Sequence, residues 1–123
     1  MQAKAPVLIV DDDADIREAL LDTFLDEGHP AVALPDGPSA LTYLRSQPRP
    51  CLVLLDWNMT PMNGGEVMVE MRATPALAAV PVVLVTADMR VEQKAATPGF
   101  VACLTKPVDV DALFELVHAH CRS

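Results

Sequence analysis

Four short apolar runs in this chain stop abruptly at charged or hydroxylic side chains. Val7–Val10 ends at Asp11, Asp12 and Asp13, and Leu52–Leu55 ends at Asp56. Val82–Val85 ends at Thr86, and Phe100–Leu104 ends at Thr105, Lys106 and Pro107. Runs of four or five residues rich in Val, Leu and Ile are too short for buried helices and read as strands covered on both faces of a parallel sheet. The carboxyl ends of all strands in such a sheet share one edge, where ligands bind. The pattern therefore predicts that Asp11, Asp12, Asp56, Thr86 and Lys106 converge.

Between the runs lie helical patterns. Ile16, Leu20 and Phe24 recur at helical spacing with Thr23 and Glu27 beside them, Asp13 or Asp15 can cap that helix, and Gly28 can end it. A short strand is expected near Pro30–Leu34, a helix over Pro38–Ser46 and another over Gly65–Ala73. A weak helix is expected over Met89–Thr97, and a last one over Val108–Cys121 with Val110, Leu113, Phe114 and Val117 inward. Strand–helix alternation repeated five times is an α/β plan. The expected fold is flavodoxin-like, a doubly wound (βα)5 with a parallel five-stranded sheet in the order 2-1-3-4-5. The 123 residues make one domain, with residues 1–5 as an N-terminal arm.

Composition narrows the function classes. The chain is 51% hydrophobic, enough to build a core, yet no run approaches the ~18 residues of a membrane span. Acidic residues outnumber basic ones 17 to 9, giving a net charge of −8 that repels nucleic acid and anionic membrane and suits cations or basic partners. No leader is visible before the first strand. Three cysteines without close spacing are expected to be reduced thiols in a cytoplasmic protein.

Asp56, ending the central third strand, is the candidate nucleophile, because a carboxylate there can attack phosphorus to give an acyl phosphate. An Asp after a strand often merely caps the next turn. Asp11 and Asp12 argue for more than that. A pair of like charges 4 Å apart costs about 4 kcal/mol at an effective dielectric of 20, so folding gathers them only with a compensating ion. Carboxylate and carbonyl oxygens with retained water suit Mg²⁺. Asp12, Asp56 and the backbone carbonyl of Asn58 are expected as direct ligands, with Asp11 acting through water. Asp13 is left to cap the first helix. Lys106 would neutralise phosphoryl oxygens, and Thr86 would donate a hydroxyl to them.

Val7–Asp13, Leu54–Met59 with Met62–Gly64, Val83–Ala87 and Leu104–Pro107 resemble the corresponding stretches of response regulator receiver domains of two-component signalling, chemotaxis-type single-domain receivers above all. The resemblance covers nearly the whole chain. It implies that Asp56 accepts a phosphoryl group from a phosphohistidine on a sensor histidine kinase or histidine phosphotransfer protein, that Mg²⁺ is required, and that the domain is not itself an enzyme. It implies output by docking to a downstream target protein, through the surface of the Met89–Thr97 helix, the fifth strand and the last helix. It also implies that Asn58 and Asp88 flank the path of the hydrolytic water, which suggests a short-lived phosphoprotein. Neither nucleic-acid contact nor membrane insertion is implied.

Three positions depart from that family's pattern. Thr60 stands where the family usually has Pro, and Pro61 follows; Asn63 stands for the usual Asp. Cys103 occupies the aromatic switch position, three residues before Lys106, and cannot make the large rotation through which Thr86 is ordinarily read out. Signalling through the loops and the Met89–Thr97 helix is the expectation instead.

Other readings fit less well. A haloacid-dehalogenase-like phosphatase would carry an acid where Asn58 stands and its nucleophile on the first strand. An interaction module without phosphorylation is kept in view by Cys103 and opposed by Asp12, Asp56 and Lys106. A flavin site lacks a phosphate loop. His118 and Cys121 share a helical face, but His120 points away, and a metal site there is not expected.

Overall fold

The computed structural model describes residues 5–47, 49–87 and 99–121. Five strands, β1 (Val7–Val10), β2 (Ala31–Leu34), β3 (Leu52–Asp56), β4 (Val82–Thr86) and β5 (Phe100–Thr105), form one sheet. It is parallel throughout, in the order β2-β1-β3-β4-β5. Four helices are described: α1 (Ala14–Asp26), α2 (Gly37–Ser46), α3 (Gly64–Ala73) and α4 (Val110–His120). The helix expected over Met89–Thr97, and with it Asp88, lies outside the described residues.

The burial of each strand follows from its place in the sheet. β1, β3 and β4 are buried at every residue, as the unbroken apolar runs require, while the edge strands β2 and β5 are only partly covered. Alternate strand residues face opposite layers. Leu8, Val10, Val53 and Leu55 pack against α2 and α3 through Ala40, Leu44, Val67 and Met71. Val7, Ile9, Leu52, Leu54, Val83 and Val85 pack against Leu20 and Phe24 of α1 and Leu113 and Val117 of α4. Phe24, fully buried, stacks at a tilt on Phe114 with ring centroids 5.3 Å apart.

Helix ends follow local chemistry. Asp13 caps α1, accepting from the amides of Asp15 and Ile16, and Gly28 leaves the helix at φ 72°. Asn63 and Glu66 form a reciprocal capping box on α3. Asp109 caps α4, so this helix begins two residues later than the sequence pattern suggests. Val110 then falls in the first turn, 47% exposed rather than inward.

The expectation of three reduced thiols fails at two of them. Cys51, just before β3, and Cys121, the C-cap of α4, are joined in a disulfide across a sequence separation of 70. Spacing along the chain could not reveal this, because their proximity arises only when α4 docks on the sheet. Cys103 is a free, half-buried thiol.

Candidate functional site

Parallel register brings the strand ends together. Val10 pairs with Leu55, Asp56 with Val85, and Thr86 with Thr105, so Asp11, Asp56, Thr86 and Lys106 all emerge at one sheet edge. The amide of Asp11 donates to Leu34 O at 3.2 Å, and that of Lys106 to Thr86 O at 2.9 Å, extending both ladders one residue into the site.

The side chains then meet. Carboxylate oxygens of Asp11, Asp12 and Asp56 all lie within 4.8 Å of one another. Asp11 and Asp56 are each only 3% exposed, whereas Asp12 faces solvent. Lys106 Nζ lies 2.7 Å from Asp11 Oδ2 and 3.4 Å from Asp56 Oδ2, bridging the two buried acids. Asp11 Oδ1 accepts from the amide of Asp13 at 2.9 Å, and Asp56 Oδ1 from the amide of Asn58 at 3.3 Å. Thr86 is fully buried.

Electrostatics set the site's resting state. Burial, and after it the charge of Asp11, hold the Asp56 carboxyl above the usual aspartate range, against the opposing pull of Lys106 and the Asn58 amide. Burial by itself lowers the Lys106 ammonium. The hydrogen bond to Asp11 and the charges of Asp56 and Asp11 outweigh it, so the ammonium stands above the ordinary lysine value. Among the described residues the Lys106 ammonium alone pairs with these carboxylates, and the clustered oxygens form a donor set for a hard divalent cation.

Of the residues singled out in the sequence, Asp11, Asp12, Asp56 and Lys106 meet through their side chains, and Thr86 ends β4 at the same sheet edge. The contact of Asn58 with Asp56 is made by its amide, not by the carbonyl expected as a ligand. Cys103 lies on β5 opposite Leu84, two residues before Thr105, the partner of Thr86; burial pushes its thiol up. Two further contributors escape the sequence pattern. Arg17 Nη1 donates to the carbonyl of Asp11 at 2.8 Å, holding the acidic loop from α1; its position six residues beyond Asp11, one helical turn past the cap, is the available signal. Gly64 lets α3 approach closely, for a Cβ there would stand 2.6 Å from the carbonyl oxygen of Asp56. Its amide also donates to Trp57 O at 2.9 Å.

A strand-end acid, its paired acids and a lysine in this order can be compared with known proteins. The family profile described as the response regulator receiver domain matches residues 7–118. The chain belongs to the response regulator receiver family. Response regulator Rcp1 of Synechocystis is 34% identical over 125 residues, covering 93% of this receiver and 84% of that protein. The crystal structure of a response regulator receiver protein from Pseudomonas putida superposes with a TM-score of 0.88 at 36% identity, over 97% of this receiver and 99% of that chain. The Mn²⁺-bound form of response regulator Rcp1 superposes with a TM-score of 0.75 at 28% identity, over 94% of this receiver and 90% of that chain. No described helix is long and apolar enough to cross a membrane.

Proposed function

We propose that this receiver is a cytoplasmic phosphoacceptor whose Asp56 takes a phosphoryl group from a phosphohistidine on a sensor histidine kinase or histidine phosphotransfer protein, and that it then acts by docking to a downstream target protein. The observation that carries the reading is Lys106 held at 2.7 and 3.4 Å from two buried acids within a three-carboxylate cluster. An ion pair serving stability alone has no use for a third acid, which adds only repulsion.

The step balances on the chain's own groups. An oxygen of Asp56 attacks phosphorus, the new O–P bond forms, and the P–N bond breaks with its electron pair going to the imidazole of the donor. Lys106, already on Asp56 Oδ2, neutralises charge on the transferring oxygens, and the Thr86 hydroxyl would donate to them. The clustered oxygens of Asp11, Asp12 and Asp56 fit Mg²⁺, with the Asn58 carbonyl as a further ligand; the Mn²⁺-bound form of Rcp1 supports a divalent ion in such a fold. When bound, the ion offsets the negative charge that gathers as the phosphoryl group approaches the acids. A residue as short as Asn58 leaves water access to the acyl phosphate, consistent with a short-lived product.

The test is phosphorylation by a small-molecule phosphodonor, read by intact mass and phosphate-affinity gel. A single phosphoryl group that requires Mg²⁺ and disappears in Asp56→Asn is the expected result. Modification persisting in Asp56→Asn, or equal labelling in chelator, overturns the assignment. Trp57 adjoins Asp56, its ring lying over Gly65, so its fluorescence should respond to Mg²⁺ and to beryllofluoride in the parent and lose the beryllofluoride response in the variant.

A further inference from the structure

At the edge of the sheet opposite Asp56, where the strands begin, three soft or borderline ligands meet. Cys51 precedes β3, Cys121 caps α4, and His29 lies between α1 and β2. The two sulfurs and one imidazole nitrogen lie within 4.8 Å of one another. Each residue is fixed through its own amide: His29 N donates to Phe24 O at 2.9 Å, Cys51 N to Pro6 O at 3.0 Å, and Cys121 N to Val117 O at 2.7 Å. The five residues of β3, roughly 3.3 Å each, separate this cluster from the phosphoacceptor end of the sheet.

His29 is the telling member. It is 7% exposed, and its Nδ1 lies 3.0 Å from the carbonyl oxygen of Pro30, an acceptor only, so Nδ1 carries the proton. Nε2 is left as a bare lone pair, and it is the buried side-chain nitrogen without a hydrogen-bond partner among the described residues. An unpaired buried acceptor is costly and calls for an explanation. A neutral imidazole with one N–H on a backbone carbonyl and the other nitrogen free is how a metal-ligating histidine is oriented.

We infer that Cys51, Cys121 and His29 form a redox-gated site for a thiophilic divalent ion, Zn²⁺, that is closed when the two sulfurs are joined, as they are in this structure, and open when they are reduced. In opening, a dithiol reductant gives two electrons and two protons to the Cys51–Cys121 bond; that bond breaks, two thiols form, and the reductant becomes a disulfide. Zn²⁺ binding then releases both thiol protons to solvent. Two thiolates offset the ion's double charge and the imidazole adds none. The resulting set of two sulfurs and one nitrogen is neutral, as suits a half-buried position, with water as the fourth ligand. A surface cavity of about 260 Å³ lined by Arg49, Cys51, Val80, Pro81 and His120 gives water and the ion a route to the sulfur. The Cys51 sulfur also lies 3.3 Å from the carbonyl oxygen of Ala5, where a thiol proton can be donated, so the reduced form is accommodated without the ion.

The probe is Co²⁺, added to the full chain after reduction and removal of the reductant under anaerobic conditions, with Cys103→Ser as the background. One equivalent should give the visible bands of tetrahedral cobalt and a near-ultraviolet sulfur-to-cobalt band, both bleached by Zn²⁺. The oxidised chain should give neither. Cys51→Ser and Cys121→Ser should each lose the sulfur-to-cobalt intensity by half or more, and His29→Gln should weaken cobalt binding by about tenfold or more. Cys121→Ser, at a helix end, keeps the test decisive should His29→Gln fail to fold. Absence of the bands in the reduced chain, their survival in both serine variants, or equal uptake by the oxidised chain would overturn the site.

Discussion

Neutralising Asp56 without changing its shape should make the ion-free protein more stable. At an effective dielectric of 20, the Lys106–Asp56 contact of 3.4 Å favours the ionised carboxylate by about 5 kcal/mol. Repulsion from Asp11, within 4.8 Å, returns at least about 3.5 kcal/mol. Asp12 adds a smaller, solvent-screened repulsion, and burial penalises the charge further. Burial is the largest of these effects, and with the two repulsions it turns the balance against the ionised form, which is why the carboxyl stands above its ordinary range. In Asp56→Asn the side-chain oxygen can still accept from the Asn58 amide, and Lys106 keeps Asp11. The variant should therefore gain stability at neutral pH in chelator, read as a Tm rise of roughly 3–6 °C for each kcal/mol gained. Because folding raises the carboxyl above its ordinary 3.8, the protonated form's stability is present below that value and is lost as pH rises through the folded pKa. The advantage of Asn should thus fade as the solution is acidified through that window. Mg²⁺ should reverse the order by stabilising the parent more, by about 2.7 kcal/mol at a hundredfold excess over Kd. Urea and thermal unfolding followed by circular dichroism decide the matter. An Asp56→Asn variant no more stable than the parent in chelator at neutral pH would mean that Lys106 dominates the site, and the reasoning would fail.

Other expected outcomes bear on the same site. Lys106→Met strands two buried carboxylates and should cost about 2–3 kcal/mol in chelator, below the upper range for a buried pair because the ammonium is 16% exposed; added Mg²⁺ should restore part of it in urea titrations. The parent should lose stability as pH rises above 10.5 through the raised folded lysine pKa, measurable as a falling Tm that Lys106→Met does not share. Gly64→Ala drives a methyl against the backbone of Asp56 and Trp57, which cannot swing aside, and should cost about 1–3 kcal/mol and shift Trp57 emission.

Much of this architecture is legible because burial writes itself into composition. β1, β3 and β4 are covered on both faces, and their uninterrupted Val and Leu runs, each closed by a polar residue, locate strands and site together. Asp13 as the cap of α1 follows from its place before a helical stripe. What the chain hides are contacts that depend on docking. Val110 carries an inward-facing spacing, yet capping by Asp109 starts the helix later and turns that residue out. Arg17 acts on a backbone carbonyl, which has no residue identity to match. Along the chain Cys121 groups with His118 and His120, its neighbours on the same helix, whereas its spatial partners Cys51 and His29 come from the far ends of other elements.

Lys106 is held at both of its ends, by its ammonium on two acids and by its amide on the last carbonyl of β4. It also directly follows the final residue of β5, which is an edge strand among the described residues. A charge change at Asp56 would therefore act directly on Lys106, whose side chain is 16% exposed. If Asp56 is the phosphoacceptor proposed above, its modification lies one residue from the surface, a short route of communication that does not depend on a rotating ring at Cys103.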